Sequence, residues 1–241
     1  MITGDHRTTA LAVARELELA DPQDQVLTGN DLSSMTDGEL ENRVLTCNVY
    51  ARVQPEHKVR IVRALKRQGY ITAMTGDGVN DAPALKVADI GVGMGLTGTD
   101  VTRSVSDMVL ADDNFATIVS AVEEGRRIYE NLRKAVQYLL SSNLSEVLAL
   151  LSATLMGFRL FSPVHILWIN LVTDTFPAVA LGLEEAEPDL MNRPPRDPGE
   201  GILAGGLGVS VLYQGGLMAL LTLASWYSGS GVSPERATTM A

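Results

Sequence analysis

The stretch Thr75-Gly76-Asp77-Gly78-Val79-Asn80-Asp81 has the residue types and spacing for phosphate chemistry. Gly76 and Gly78 allow a tight turn and a close backbone approach to a ligand, and Asp77 and Asp81 place two carboxylates four residues apart. Mg²⁺ is usually held by one or two carboxylates, with water and phosphate oxygens filling the rest of its shell. The string therefore offers a hard cation at a phosphate. Thr3-Gly4-Asp5 repeats the pattern earlier, with a hydroxyl able to donate to a phosphoryl oxygen, and Lys58 near a helix start offers a compensating positive charge. A lone Gly-Asp-Gly is most often just a turn. Here the continuation through Asn80, Asp81 and Ala82-Pro83-Ala84-Leu85 argues for a ligand site.

A second set of chemically capable residues lies in apolar surroundings. Asn143 and Glu146 stand three apart in the run Ala135 to Gly157, where Glu146 is the single formal charge. Asn170, Thr173 and Asp174 recur at three- and four-residue steps in the run Pro163 to Leu183. Amides, a hydroxyl and carboxylates are all oxygen donors, which suits a hard divalent ion such as Ca²⁺ with its roughly six to eight oxygens. These side chains cannot fill two such shells, so further ligands must come from other elements. Ser141, Ser142 and Ser145 read as polar contacts between helices.

The elements that must position both sets follow from periodicity. Residues 1–112 alternate strand and helix. A helix carries Leu11, Val13, Ala14, Leu17 and Leu19, and a polar loop follows it. The capping box Thr36 to Glu39 starts a short helix through Val44. Val49–Val53 is a strand, Pro55 is placed for the first turn of a helix, and Gly69 ends that helix. Ile71–Met74, Ile90–Gly93 and Met108–Leu110 read as strands, and Ala82–Val87 as a helix. This alternation predicts an α/β domain, a parallel sheet covered on both faces, with ligands beyond the carboxyl ends of the strands.

From Asn114 to Gly157 a single helix is predicted, amphipathic as a stalk over 113–134 and apolar beyond. Such a rod is on the order of 65 Å long. The all-α region 135–241 holds three expected spans, about 135–157, 163–183 and 207–227, each near the roughly 20 residues a bilayer requires. The short break at Arg159–Ser162 makes the first two antiparallel neighbours. Glu146 and Asp174 each then lie about 16 Å from the end of their helix, which brings them together near the midplane. Intramembrane carboxylates are functional by default. Arg126, Arg127, Arg133 and Lys134 before the first span, with Arg193 and Arg196 after the second, put both ends on the cytosolic side of a multi-pass protein of the cell membrane. The acidic, proline-rich segment Glu184–Glu200 reads as a solvated loop. Gly205, Gly206, Gly215 and Gly216 suggest close helix contact, and Trp226 and Tyr227 mark the far interface. Ser228–Arg236 reads as an outer segment, with a further span expected from Thr238.

Composition bounds the rest. The hydrophobic fraction of 46% looks ordinary only because a soluble part and a membrane part are averaged, and a net charge of −10 argues against a nucleic-acid partner. Cys47 is the single cysteine, so an internal disulfide is ruled out.

Met74-Thr75-Gly76-Asp77-Gly78-Val79-Asn80-Asp81-Ala82-Pro83-Ala84-Leu85 resembles the hinge motif of the P-type cation-transporting ATPases, whose phosphorylation domain is haloacid dehalogenase-like. Met1-Ile2-Thr3-Gly4-Asp5 and Arg52-Val53-Gln54-Pro55-Glu56-His57-Lys58 resemble two further segments of that family. The resemblance implies that Asp77 ligates Mg²⁺, that Thr3, Lys58 and Asn80 hold the phosphoryl group together with the Gly4 and Asp5 segment, and that Asp81 supports the site. Asn143-Leu144-Ser145-Glu146 and Trp168-Ile169-Asn170-Leu171-Val172-Thr173-Asp174 are similar to strings of the sarco-endoplasmic-reticulum-type calcium pumps, implying Asn143, Glu146, Asn170, Thr173 and Asp174 as Ca²⁺ ligands. One departure stands out: Thr175-Phe176 replaces the usual Gly-Leu before Pro177. Strings for the phosphorylated aspartate (Asp-Lys-Thr-Gly-Thr) and for dephosphorylation (Thr-Gly-Glu) are absent, as is a nucleotide-binding domain. The expectation is a carboxy-terminal fragment whose missing amino-terminal portion supplies ATP chemistry. The alternatives are a non-catalytic or degenerate membrane remnant, or a pump for Mn²⁺, Na⁺/K⁺ or H⁺.

Overall fold

The computed structural model describes residues 1–21, 25–231 and 238–239. Residues 232–236 of the expected outer segment, and Met240 and Ala241 of the expected further span, lie outside them. The chain forms two compact units, Met1–Ile118 and Val119–Ala241.

In the first unit, α1 (Arg7–Glu16) precedes β1 (Val26–Thr28), α2 (Gly29–Ser34), α3 (Asp37–Arg43), β2 (Val49–Ala51) and α4 (Pro55–Arg67). β1 and β2 pair in parallel, and Ile2 bridges Tyr50 on the other edge of β2. Strand β2 shows why period two matters. Val49 and Ala51 bury against Ala10 and Ala14 of α1, whereas Tyr50 buries on the opposite side with Leu32, Leu40, Ile61 and Ala64 of α2, α3 and α4. The second half of the unit comprises β3 (Ala73–Gly76), α5 (Ala82–Val87), β4 (Ile90–Met94), α6 (Asp100–Val105) and β5 (Met108–Leu110), with the strands parallel in the order β3-β4-β5. Helix α4 serves both halves, because Val62 packs with Met74, Ala84 and Leu85 while Ile61 and Ala64 face the other cluster.

Several expectations are corrected. The sheet is two short parallel sheets rather than one. The polar loop after α1 contains β1 and α2, which a Thr28/Asp31 capping box starts. Strand β3 begins two residues later than expected, since Ile71 is exposed and pairing with β4 starts at Ala73. Helix α1 stops at Glu16 and buries alanines, leaving Leu17 and Leu19 exposed.

The second unit is helical. Helix α7 runs without interruption from Ala116 to Leu155. The next apolar segment is composite: α8 (Pro163–Trp168), a π-helical turn over Ile169–Asp174, and α9 (Thr175–Gly182). Helix α10 spans Leu207–Ser230. Among the described residues, three helices are long and apolar enough to cross a membrane, Ala116–Leu155, Pro163–Gly182 and Leu207–Ser230.

Contacts in this unit revise the glycine expectation. A Cβ on Gly215 would come within 2.9 Å of Leu144, so α10 lies close against α7 there, while Gly216 has nothing within 4 Å. Gly205 and Gly206 instead adopt φ of 66° and 85°, making the left-handed turn that starts α10. Gly215→Leu should therefore destabilise the α7–α10 pair by about 1–3 kcal/mol, and Gly216→Leu should be nearly neutral. Thermal unfolding in detergent compares them. Trp226 stacks on Phe158 with ring centroids 3.7 Å apart, closing the far end of the same pair.

The acidic loop is not merely solvated. Lys134 Nζ donates to Glu184 Oε2 at 2.6 Å, Asn131 Nδ2 to the Glu184 carbonyl at 2.8 Å, and Arg126 Nη1 to the carbonyls of Leu190 and Arg193, each at 3.0 Å. Arg196 lies over the Tyr129 ring at 3.8 Å. Residues Arg126, Tyr129, Asn131 and Lys134 of α7 thus hold the loop at several points.

Candidate functional site

The first candidate site grows from the end of β3. After Gly76 the chain leaves the strand, passes exposed Asp77, makes a 3₁₀ turn over Val79–Asp81 and enters α5, where Pro83 sits in the first turn. Asp81 is buried, and its Oδ1 accepts from Lys58 Nζ of α4 at 2.5 Å. A Cβ at Gly76 would stand 2.4 Å from Asp81 Cβ, so only glycine lets the strand end come this near the ion pair. Gly76→Ala is expected to push Asp81 away from Lys58 and cost about 2 kcal/mol. Limited proteolysis across a urea series reads that loss.

Asp77 is fixed through its main chain: its carbonyl accepts from the Thr99 amide at 3.0 Å and from Thr102 Oγ1 at 3.3 Å. Its carboxylate stands exposed beyond the carboxyl end of a parallel strand. A single accessible carboxylate on a rigid turn fits Mg²⁺, which keeps much of its shell for water and phosphate. Asn80 is exposed on the same turn. Thr3 and Asp5 form a pair of their own, Thr3 Oγ1 donating to Asp5 Oδ2 at 2.9 Å and the Thr3 amide to the Tyr50 carbonyl at 2.9 Å, with Gly4 exposed between them. The structure thus joins Lys58 with Asp81, and Thr3 with Asp5. The hydrogen bonds of Thr3 and Asp5 run to each other and to β2 and the segment after it.

The second candidate site lies between α7 and the composite helix. Ser142 Oγ donates to Asp174 Oδ1 at 2.7 Å, and Asp174 Oδ2 is buried with no hydrogen-bond partner among the described residues. Asn170 Nδ2 lies 3.1 Å from Glu146 Oε2 and also donates to the Ile166 carbonyl at 3.0 Å. Both donor hydrogens of that amide are thereby used. Asn170 and Asp174, four residues apart, bond the same helix from the two ends of a π-helical turn. The turn frees backbone carbonyls, and hydroxyls take them up: Tyr138 donates to the Thr173 carbonyl at 2.8 Å and Thr175 Oγ1 to the Asn170 carbonyl at 3.3 Å. Such π turns recur at functional sites. Thr175, the departure noted in the sequence, therefore has a structural role.

Asn143 and Thr173 are placed differently. Both are exposed, and Asn143 Nδ2 returns to the Leu139 carbonyl of its own helix at 2.8 Å. The structure brings together Ser142, Glu146, Asn170 and Asp174, and leaves the Asn143 and Thr173 side chains outside that group. From the sequence alone, Ser142 reads as a helix contact. Its adjacency to Asn143 and its four-residue step to Glu146 were the available signal.

Residues 1–89 match the haloacid dehalogenase-like hydrolase family, and residues 158–241 match the family described as cation transporting ATPase, C-terminus. The chain belongs to the P-type cation-transporting ATPases. It is 50% identical over 242 aligned residues to the calcium-transporting ATPase lmo0841 of Listeria monocytogenes, covering 100% of this chain and 27% of that protein. It is 49% identical to calcium-transporting ATPase 1 of Lactococcus lactis over the same shares, and 52% identical to a calcium-transporting ATPase of Bacillus subtilis over 98% of this chain and 26% of that one. The chain thus spans about a quarter of the length of these P-type ATPases. Both sets of candidate residues lie within the aligned region shared with the Listeria protein, which covers the whole chain.

Proposed function

We propose that this chain is the carboxy-terminal part of an ATP-driven calcium pump, a multi-pass protein of the cell membrane embedded in the lipid bilayer. In the complete protein an upstream aspartate, supplied by the amino-terminal portion, takes the phosphoryl group from ATP. Asp77 holds Mg²⁺ beside that group. Lys58, Thr3 and Asn80 bind its oxygens, with Gly4 and Asp5 shaping the turn, and Asp81 keeps the Lys58 ammonium in place. Ca²⁺ is the cargo, held by Glu146, Asp174 and Asn170, with Asn143 and Thr173 joining the shell in the complete protein. Because α7 is unbroken from Ala116 past Glu146, a displacement at its start is carried about 45 Å along the helix to the cation ligands.

The observation that supports this reading best is Asp174. It is 3% exposed, and one carboxylate oxygen is without a hydrogen bond beside Glu146 and Asn170. A buried acceptor left unpaired is costly unless a ligand meets it. The test is uptake of ⁴⁵Ca²⁺ by sealed vesicles carrying the complete protein. Uptake that requires ATP and is not displaced by Mn²⁺, Na⁺ or protons supports calcium as the cargo. ATP-dependent uptake of one of those ions with none of calcium would replace it. The 241 residues alone should take no label from γ-labelled ATP, and stable labelling would contradict the assignment of the phosphorylated aspartate to a missing segment.

A further inference from the structure

Asp113 stands between two residues that cap α7. Asn114 Oδ1 accepts from the Ala116 amide at 3.0 Å, and Asp112 Oδ2 from Thr117 Oγ1 at 2.7 Å. The side chain of Asp113 serves a different segment. Its carboxylate accepts from the amides of Gly95 at 2.6 Å, Leu96 at 3.0 Å and Thr97 at 2.7 Å, and from Thr97 Oγ1 at 2.7 Å. These donors hold its carboxyl at a pKa of about 2, the Leu96 amide contributing most, so it is ionised at any physiological pH. Its φ is 50°, a left-handed conformation that aspartate adopts more readily than most residues.

The loop so held connects β4 to α6, and its continuation reaches the phosphate-site turn. Arg103 Nη1 donates to the Gly95 carbonyl at 2.7 Å, securing the loop from the α6 side. Two residues beyond Thr97, the Thr99 amide donates to the Asp77 carbonyl at 3.0 Å, and the fully buried Thr102 adds its hydroxyl at 3.3 Å. A continuous path of charge-assisted and backbone hydrogen bonds therefore leads from the start of α7 to the residue after β3.

We propose that Asp113 is a positioning residue for Asp77: by gripping Gly95–Thr97 it seats Thr99 and Thr102 on the Asp77 carbonyl, which aims the Asp77 carboxylate and ties its turn to the first turn of α7. The proposal rests on the reading of Asp77 as the Mg²⁺ ligand. Asp113 touches neither ion nor phosphate and acts only through the loop. A carboxylate is required because two acceptor oxygens serve four donors. An asparagine would keep the shape but turn an NH₂ group toward amide donors.

The test uses the 241-residue chain in detergent and two readouts: amide hydrogen exchange resolved over residues 95–99, and binding of Mn²⁺, a paramagnetic stand-in for Mg²⁺. Asp113→Ala is expected to speed exchange at Gly95, Leu96, Thr97 and Thr99 and to weaken Mn²⁺ binding, each about tenfold, the scale on which partners that support a metal ligand act. Exchange in β2 and α4 should not change, and Asp113→Asn should fall between wild type and alanine in both readouts. Asp77→Asn should remove Mn²⁺ binding and leave the Thr99 amide protected. Unchanged Thr99 protection in Asp113→Ala overturns the proposal, as does unchanged Mn²⁺ affinity in a variant whose loop has opened. In a Glu146→Gln/Asp174→Asn background, which disables the second site, Mn²⁺ binding that survives Asp77→Asn overturns the reading of Asp77 itself. That failure is distinguishable, because Thr99 exchange would still respond to Asp113→Ala.

Discussion

Asp174→Asn in the complete protein is expected to abolish Ca²⁺-dependent formation of the phosphorylated intermediate, by about a hundredfold or more at any attainable calcium concentration. The substitution is nearly isosteric, and the asparagine oxygen still accepts from Ser142 Oγ, so the α7 contact at 2.7 Å survives. What disappears is the charge, and with it the buried oxygen that lacks a hydrogen-bond partner. Removing a residue that only supports a metal ligand costs roughly 10–100-fold in affinity. Loss of a ligand carboxylate should exceed that. Phosphorylation from ATP at graded calcium concentrations makes the measurement, and Ser142→Ala provides the scale, since it removes one hydrogen bond and leaves the charge. A calcium dependence in Asp174→Asn equal to wild type would place the ion elsewhere.

The second large effect concerns Lys58. Its ammonium is paired with Asp81, whose side chain is 9% exposed, at 2.5 Å. Replacing one partner of a buried ion pair leaves an uncompensated charge, which typically costs about 3 kcal/mol. Lys58→Met should accordingly raise local amide exchange across β3 and α4 by roughly 100-fold, as 1.4 kcal/mol is a factor of ten. Lys58→Met combined with Asp81→Asn should recover most of that protection, because no buried charge remains and the asparagine oxygen can still accept from the Gly78 amide. In the complete protein, if it acts as proposed, the double variant should nevertheless fail to form phosphoenzyme. Stability restored without activity would separate the ammonium's structural part from its part at the phosphate. Protection that the double variant does not restore would mean that Lys58 acts through something other than Asp81.

The pattern of what the sequence discloses follows from the length scale of each signal. Pro55 in the first turn of α4, the Thr36/Glu39 capping box and Gly69 at φ 86° are local devices, visible in a few residues, and the structure has each in place. The apolar runs from Ala135 and Pro163 are long enough for hydropathy to stand out. By contrast, β1 and α2 together span Val26–Ser34, too short for any period to show, and their capping box uses Asp31 where glutamate is usual. Helix α6, six residues long, escapes for the same reason.

Phase errors are subtler. Counting at three- and four-residue steps assumes a regular α-helix through Asn170, Thr173 and Asp174, but all three lie within the π turn over Ile169–Asp174, where the angular step per residue is smaller. Asp174 is buried while Thr173 is exposed. Long-range partners leave no local trace at all. Asp113 receives its donors from residues 16 to 18 positions earlier, and Arg126 bonds carbonyls 64 and 67 positions later. Neither could be read from spacing, although Asp112-Asp113-Asn114 ahead of a long helix signals a cap.

Glu146 and Asp174 are proposed to serve one ion. Equilibrium ⁴⁵Ca²⁺ binding to the detergent-solubilised complete protein tests this through a double-mutant cycle of Glu146→Gln and Asp174→Asn. A shared ion makes the effects non-additive: each single variant should weaken calcium binding at that site by about a hundredfold, and the double variant should lose little beyond the worse single. Losses that simply add, or calcium binding that either variant leaves at its wild-type value, would contradict a common site for the two carboxylates.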